Sequence, residues 1–147
     1  MVCDGEVYNY KKLCRQYRGK YEFQSESDCE VIIPMFLEKG IRKTAQELDA
    51  EFIFVIYDSA SDKYFAARDP VGIRPMFYGY TEDGSISFAS EMKALHRVCR
   101  EVKPFPPGHY YDGDKFVSYW YISVISEYTE DSAEEIFRNI TNCSQML

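Results

Sequence analysis

The chain alternates between helical and strand-like spacing of its apolar residues, and each switch marks an element. After a turn over Asp4–Asn9, the residues Leu13, Cys14 and Tyr17 recur at helical spacing, which predicts a helix over Tyr10–Tyr17 ended by Arg18-Gly19-Lys20. Tyr21-Glu22-Phe23-Gln24 alternates as a strand does. Ser27 then offers an N-cap, with Asp28 and Glu30 in the first turn and Ser27 and Glu30 at capping-box spacing. Lys39-Gly40 closes that helix, and a second follows over Ile41–Leu48. Glu51–Asp58 is dense in β-branched and aromatic residues, as a buried strand is, and Lys63–Arg68 returns from the turn Ser59–Asp62 as its partner. Asp69-Pro70-Val71-Gly72 breaks the pattern. Met76–Tyr80 and Ser85–Ala89 predict a second hairpin, and His109–Tyr111 with Lys115–Trp120 a third. Between them Ser90 caps a short helix through Leu95, and Phe105-Pro106-Pro107-Gly108 makes a sharp turn. Ser132–Ile140 is the last helical stretch.

Hairpins with a few helices beside them define an α+β protein on antiparallel sheet, and the absence of βαβ alternation argues against a parallel nucleotide-binding sheet. Composition sharpens this reading. The 13 Tyr and 10 Phe give enough large rings to fill a real core, so the chain is expected to fold. The net charge is −7 and the 17 basic residues are scattered, which excludes the basic stripe that a nucleic acid requires. The longest apolar run, Val31–Leu37, is too short to span a bilayer, and no signal peptide opens the chain, so the cytoplasm is the expected location. Cys3, Cys14, Cys29, Cys99 and Cys143 share no CxxC spacing, which predicts free thiols and no metal site. Asn139 and Asn142 match the glycosylation pattern by chance.

Residue types alone point to little chemistry. His96 and His109 have no evident carboxylate partner, and no phosphate loop is present. Asp4-Gly5-Glu6 and Ser27-Asp28 are acidic clusters of the kind that usually face solvent.

Six segments in order change that. Asp4-Gly5-Glu6-Val7-Tyr8-Asn9 resembles the NGEIYN signature of the class II (N-terminal nucleophile) glutamine amidotransferase domain of asparagine synthetases. Ser27–Val31 resembles its SDCEV segment, Leu48–Asp58 its LDGMFAFALYD strand, and Arg68–Pro75 its RDPxGIRPLY loop. Phe88–Leu95 is its FASEMKAL, and Phe105–Gly108 resembles its FPPG turn. The resemblance implies layered antiparallel sheets flanked by helices, the Ntn-hydrolase-like arrangement.

In that family an N-terminal Cys thiolate attacks the glutamine side-chain amide, and the ammonia released serves an ATP-dependent amidation of aspartate in a second domain. Placed donors must stabilise the oxyanion, and the charged α-groups of the substrate must be held. Carried onto this chain, Gly5 would donate its backbone N–H to the oxyanion, its lack of a Cβ leaving room for substrate. Asp28 and Glu6 would hold the amino-acid end, and Asp4 stands where the family has the Asn that gives the second oxyanion donor. The family's N-terminal Cys and first strands have no counterpart before Asp4, and Cys3 belongs to the strand leading into the motif. The expectation is therefore a domain truncated at both ends: residues 1–121 a partial amidotransferase domain without its nucleophile, residues 122–147 a linker and the start of a synthetase domain. ATP and Mg belong to that synthetase domain, so no cofactor is expected here. Expected partners are glutamine and either a separate synthetase chain or a second copy at an exposed sheet edge. The competing expectation is a non-catalytic module that keeps the glutamine-shaped pocket.

Overall fold

A strand apolar on both faces must lie between two layers, and β2 (Ala50–Asp58) is that strand. Phe52, Phe54 and Ile56 face one core, while Ile53 and Val55 face another. The computed structural model describes residues 1–120 and 131–144, without the side chains of 139–140 and 142–144. Antiparallel to β2 run β1 (Val2–Val7) on one side and β3 (Lys63–Arg68) on the other. β3 pairs in turn with β7 (His109–Tyr111), which forms a hairpin with β8 (Phe116–Ser118). The order of this five-stranded sheet is β1-β2-β3-β7-β8, so β1 is an edge. A second, three-stranded sheet places β4 (Phe77–Thr81) between β5 (Ile86–Ala89) and β6 (Cys99–Pro104).

The first core lies between the larger sheet and α1 (Tyr10–Tyr17), a 3-10 turn at Asp28–Val31, and α2 (Ile32–Glu47). Val31, Ile32, Met35 and Phe52 are wholly buried there. The second core lies between the sheets and is largely aromatic: Tyr78, Phe88, Phe105, Tyr111 and Phe116 meet edge-on or tilted. Aromatic rings also line the first core, among them Tyr17, Phe52, Phe54 and Tyr119. α3 is a single turn at Met92–Leu95, and α4 spans Ala133–Ser144.

Several expectations need correction. Asp4-Gly5-Glu6 is not a turn; it lies within β1, in register with Glu51–Ile53. Tyr21–Gln24 is not a strand, and only an isolated bridge joins Arg18 to Tyr21. The Ser27–Glu30 capping box does not form, because Glu30 turns inward. Its carboxylate accepts from the Gln24 and Ser25 N–H groups, both at 2.7 Å, and from the Ser25 hydroxyl. These hydrogen bonds, the Ser25 hydroxyl foremost, pull the Glu30 carboxyl below its ordinary range. The predicted break at Gly40 is real: at φ 74, ψ 171 it interrupts α2. β6 had no counterpart in the sequence reading. The last helix starts on a capping box formed by Ser132 and Glu135. Residues 121–130, where the expected linker begins, lie outside the described residues. Among the described residues, no helix is long and apolar enough to cross a membrane.

Candidate functional site

The site grows from the point where β1 meets the 3-10 turn. Val7 N–H donates to Asp28 Oδ2 at 2.6 Å, joining segments far apart in sequence. A charge-assisted bond of this length fixes the turn against the strand. Cys29 Sγ lies 3.6 Å from the Gly5 carbonyl oxygen and reinforces the contact. Of the four residues read from the sequence, Gly5 and Asp28 lie at this junction, whereas Asp4 and Glu6 alternate to the other face of β1. Asp4 and Glu6 are exposed, while Asp28 is half-buried.

Gly5 has a structural reason to be glycine that differs from the one read in the sequence. A Cβ at this position would stand 2.3 Å from the Glu51 carbonyl oxygen and 2.8 Å from Phe52 Cα. The neighbouring strand, not only a substrate, excludes a side chain.

Asp4 is held by an arginine that the sequence reading left without a role. Arg74 Nη1 is 3.4 Å from Asp4 Oδ1, and Arg74 Nη2 donates to Glu51 Oε1 at 2.6 Å. The bond to Glu51, above all, raises the guanidinium further above its ordinary value. A carboxylate engaged with a guanidinium accepts hydrogen bonds and has no N–H to give.

The loop that carries Arg74 is built on a buried carboxylate and a half-buried guanidinium. Asp69 is almost completely buried, and its carboxylate accepts from the N–H groups of Val71 (3.0 Å), Gly72 (2.5 Å), Ile73 (3.0 Å) and Arg74 (3.3 Å). Arg68 donates to the carbonyls of Arg74, Phe105 and Gly72 at 2.7, 2.7 and 2.8 Å. Burial pushes its guanidinium down, with Asp69 opposing. Asn9 ties the other side: its Nδ2 donates to the Glu47 carbonyl at 2.9 Å, and its Oδ1 accepts from Asp49 N–H at 3.2 Å. These scaffolding roles of Asp69, Arg68 and Asn9 could have been suspected from their motif membership, but only partner geometry reveals them.

Cys3 is unsuited to start an attack on a substrate amide. Its thiol is pushed far above the ordinary cysteine value by a hydrogen bond with Cys29, then by burial and by the charges of Asp28 and Asp4. A cavity of about 380 Å³ opens beside β1 between the two sheets, lined by Val2, Asp4, Val55, Met76, Ile86 and Phe88 among others. It is mainly apolar, with Asp4 as its charged member. Among the described residues, no cluster of three or more His, Cys, Asp or Glu could hold a metal ion.

Comparison with known proteins places this geometry. Two solved structures share the fold. Glutamine phosphoribosylpyrophosphate amidotransferase from B. subtilis superposes with a TM-score of 0.67 at 22% identity, over 81% of this chain and 28% of that one. A structure described as the allosteric regulatory enzyme of purine biosynthesis gives 0.66 at 23%, over 80% and 28%. The architecture is thus the Ntn-type amidotransferase one, as the resemblance implied. Residues 1–140 match the family described as a glutamine amidotransferase domain, and the chain belongs to that family.

Curated relatives narrow the likeness. The probable asparagine synthetase [glutamine-hydrolyzing] of Schizosaccharomyces pombe is 46% identical over 116 residues, covering 78% of this chain and 21% of that protein. Asparagine synthetase B [glutamine-hydrolyzing] of Escherichia coli is 46% identical over 110 residues, 75% and 20%. The chain spans about a fifth of the length of these relatives.

Proposed function

We propose that this chain is the glutamine-binding part of an asparagine synthase, a system that amidates aspartate at the expense of ATP with ammonia taken from glutamine. The convergence of Asp28 on β1 through the Val7 N–H carries the reading. It sets a partly exposed carboxylate at the edge of β1 near Gly5, with Glu6 next in the strand, a grouping suited to an amino acid with a cationic end and an amide carbonyl. In this reading Asp28 and Glu6 receive the ammonium, and the Gly5 N–H faces the amide oxygen. ATP and Mg belong to a synthetase domain, not to the site described above. The free thiols Cys3, Cys14, Cys29 and Cys99 suit a reducing compartment, which supports a cytoplasmic location. The open edge of β1 is the proposed contact for a synthetase chain.

The chain's own chemistry is binding without hydrolysis. Two observations favour this: Asp4 is engaged with Arg74 and has no donor for an oxyanion, and the Cys3 thiol is held protonated by its surroundings. Loss of one oxyanion donor typically costs about 10²–10³ in rate.

Calorimetric titration with glutamine, run beside an ammonia-release assay, tests both parts. Binding without ammonia is expected. Asp28→Asn keeps an acceptor for Val7 N–H while removing the charge, so it should weaken binding by roughly 10-fold or more. Unchanged affinity in that variant would overturn the placement of glutamine, and ammonia release lost in Cys3→Ala would overturn the non-hydrolytic reading.

A further inference from the structure

We propose that Cys3 and Cys29 form a dithiol that peroxide converts to a disulfide, a modification site joining β1 to the 3-10 turn. The inference does not depend on glutamine binding. Cys3 lies on the face of β1 that it shares with Gly5 and Val7, the face turned to the helices. Cys29 is buried in the same core, in the turn that packs on that face, and its sulfur sits 3.6 Å from the carbonyl oxygen of Gly5, two residues beyond Cys3. The two thiols therefore face each other across one junction. Cys14 also borders this core, but it stands on α1, and Cys99 lies far off beside Gly79 in the smaller sheet.

The pair is chemically unequal. The hydrogen bond between them lowers the Cys29 thiol, against burial and the Asp28 charge, and raises that of Cys3, so Cys29 is the readier of the two to give up its proton. Thiolate is the form that attacks an oxidant, and a resolving thiol alongside is what turns the product into a disulfide. A hydroperoxide small enough to reach a buried sulfur is the required oxidant. Cys29 thiolate attacks one peroxide oxygen, the O–O bond breaks, and Cys29 sulfenic acid and hydroxide form. That hydroxide takes the proton of Cys3 as a first water, and the Cys3 sulfur attacks the sulfenic sulfur, forming the S–S bond and expelling hydroxide. The expelled hydroxide takes up the proton that Cys29 released on ionising as a second water, so two thiols and one hydrogen peroxide give one disulfide and two waters. Both sulfurs are oxidised by one electron each, and the peroxide is reduced by two.

The test uses the reduced full chain, treated with hydrogen peroxide, alkylated and digested with trypsin. Cleavage after Lys11, Lys20 and Lys39 isolates Cys3 in peptide 1–11 and Cys29 in peptide 21–39. The expected product is these two peptides cross-linked and separated again by dithiothreitol, with the other three of the five cysteines still alkylated. Cys3→Ser should stop the reaction at Cys29 sulfenic acid, trapped by a cyclic dione, whereas Cys14→Ser should leave the cross-link intact. Closing this loop should also raise the Tm of the oxidised protein by roughly 5–10 °C. Cys3 and Cys29 both remaining alkylatable, or a cross-link through any other cysteine, overturns the proposal.

Discussion

A carboxylate shut away from water must be met by donors, and Asp69 meets four backbone N–H groups from Val71 to Arg74. That arrangement sets the course of the loop and so aims Arg74 at Asp4 and Glu51. Asp69→Ala would take their acceptor from the N–H groups of Val71, Ile73 and Arg74, while Gly72 N–H keeps the Asp69 carbonyl. The expected loss is about 3 kcal/mol of stability, read as a lower urea midpoint with an unchanged slope. A loss under about 1 kcal/mol would mean that water or a rearranged loop replaces the carboxylate. At this scale the sequence went far but not the whole way. Asp4, Gly5, Glu6 and Asp28 could be named because short motifs carry them, and the turn with Asp28 does pack on β1. Asp69 and Arg74 sat in an equally well-matched motif, yet nothing in a string of letters says which carboxylate is buried or which guanidinium reaches back across the sheet. Gly5 shows the same limit from the other side: the residue was noted, but its tight neighbour is the Glu51–Phe52 backbone, which register alone reveals.

Elements were readable where one physical signal dominated and were missed where two competed. Tyr10–Tyr17 and Lys63–Arg68 fall where periodicity placed them. Tyr21–Gln24 alternates correctly for a strand, but Glu30 takes the N–H groups of Gln24 and Ser25 that a ladder would need. β6 escaped notice because it is an edge strand with charged residues at Arg100, Glu101 and Lys103 and a terminal Pro104, features that blunt an edge and erase alternation. Gly40 is the case in which a local rule held. Its φ of 74 and ψ of 171 lie in a region open essentially to glycine alone, and a Cβ there would meet nothing within 4 Å. Gly40→Ala therefore isolates backbone strain from packing. It should cost about 1–3 kcal/mol in thermal or chemical melts, while Lys43→Ala, an exposed site on the following helical turn, should shift stability by less than about 0.5 kcal/mol. Equal effects from the two would mean that α2 straightens at no cost.

At the scale of the molecule, two cores share one sheet, and among the described residues that sheet ends on one side at β1, an edge with no neighbouring strand whose Val7 N–H and Gly5 carbonyl meet the 3-10 turn. Such an edge invites a second strand, and a second copy of the chain is always at hand. The side chains of β1 oppose that pairing. In an antiparallel self-pair centred on Gly5, Asp4 of one copy stands opposite Glu6 of the other, twice over, and each chain already carries a net charge of −7. Screening weakens this repulsion, since the Debye length falls from about 10 Å at 0.1 M salt to about 3 Å at 1 M. Sedimentation velocity should accordingly show a monomer at low salt and a growing dimer fraction as salt rises. Glu6→Lys replaces each repulsive pair with Lys opposite Asp4, so that variant should dimerise at low salt and lose the tendency as salt increases. A wild-type dimer at low salt, or a Glu6→Lys chain that stays monomeric throughout, would show that charge does not guard this edge.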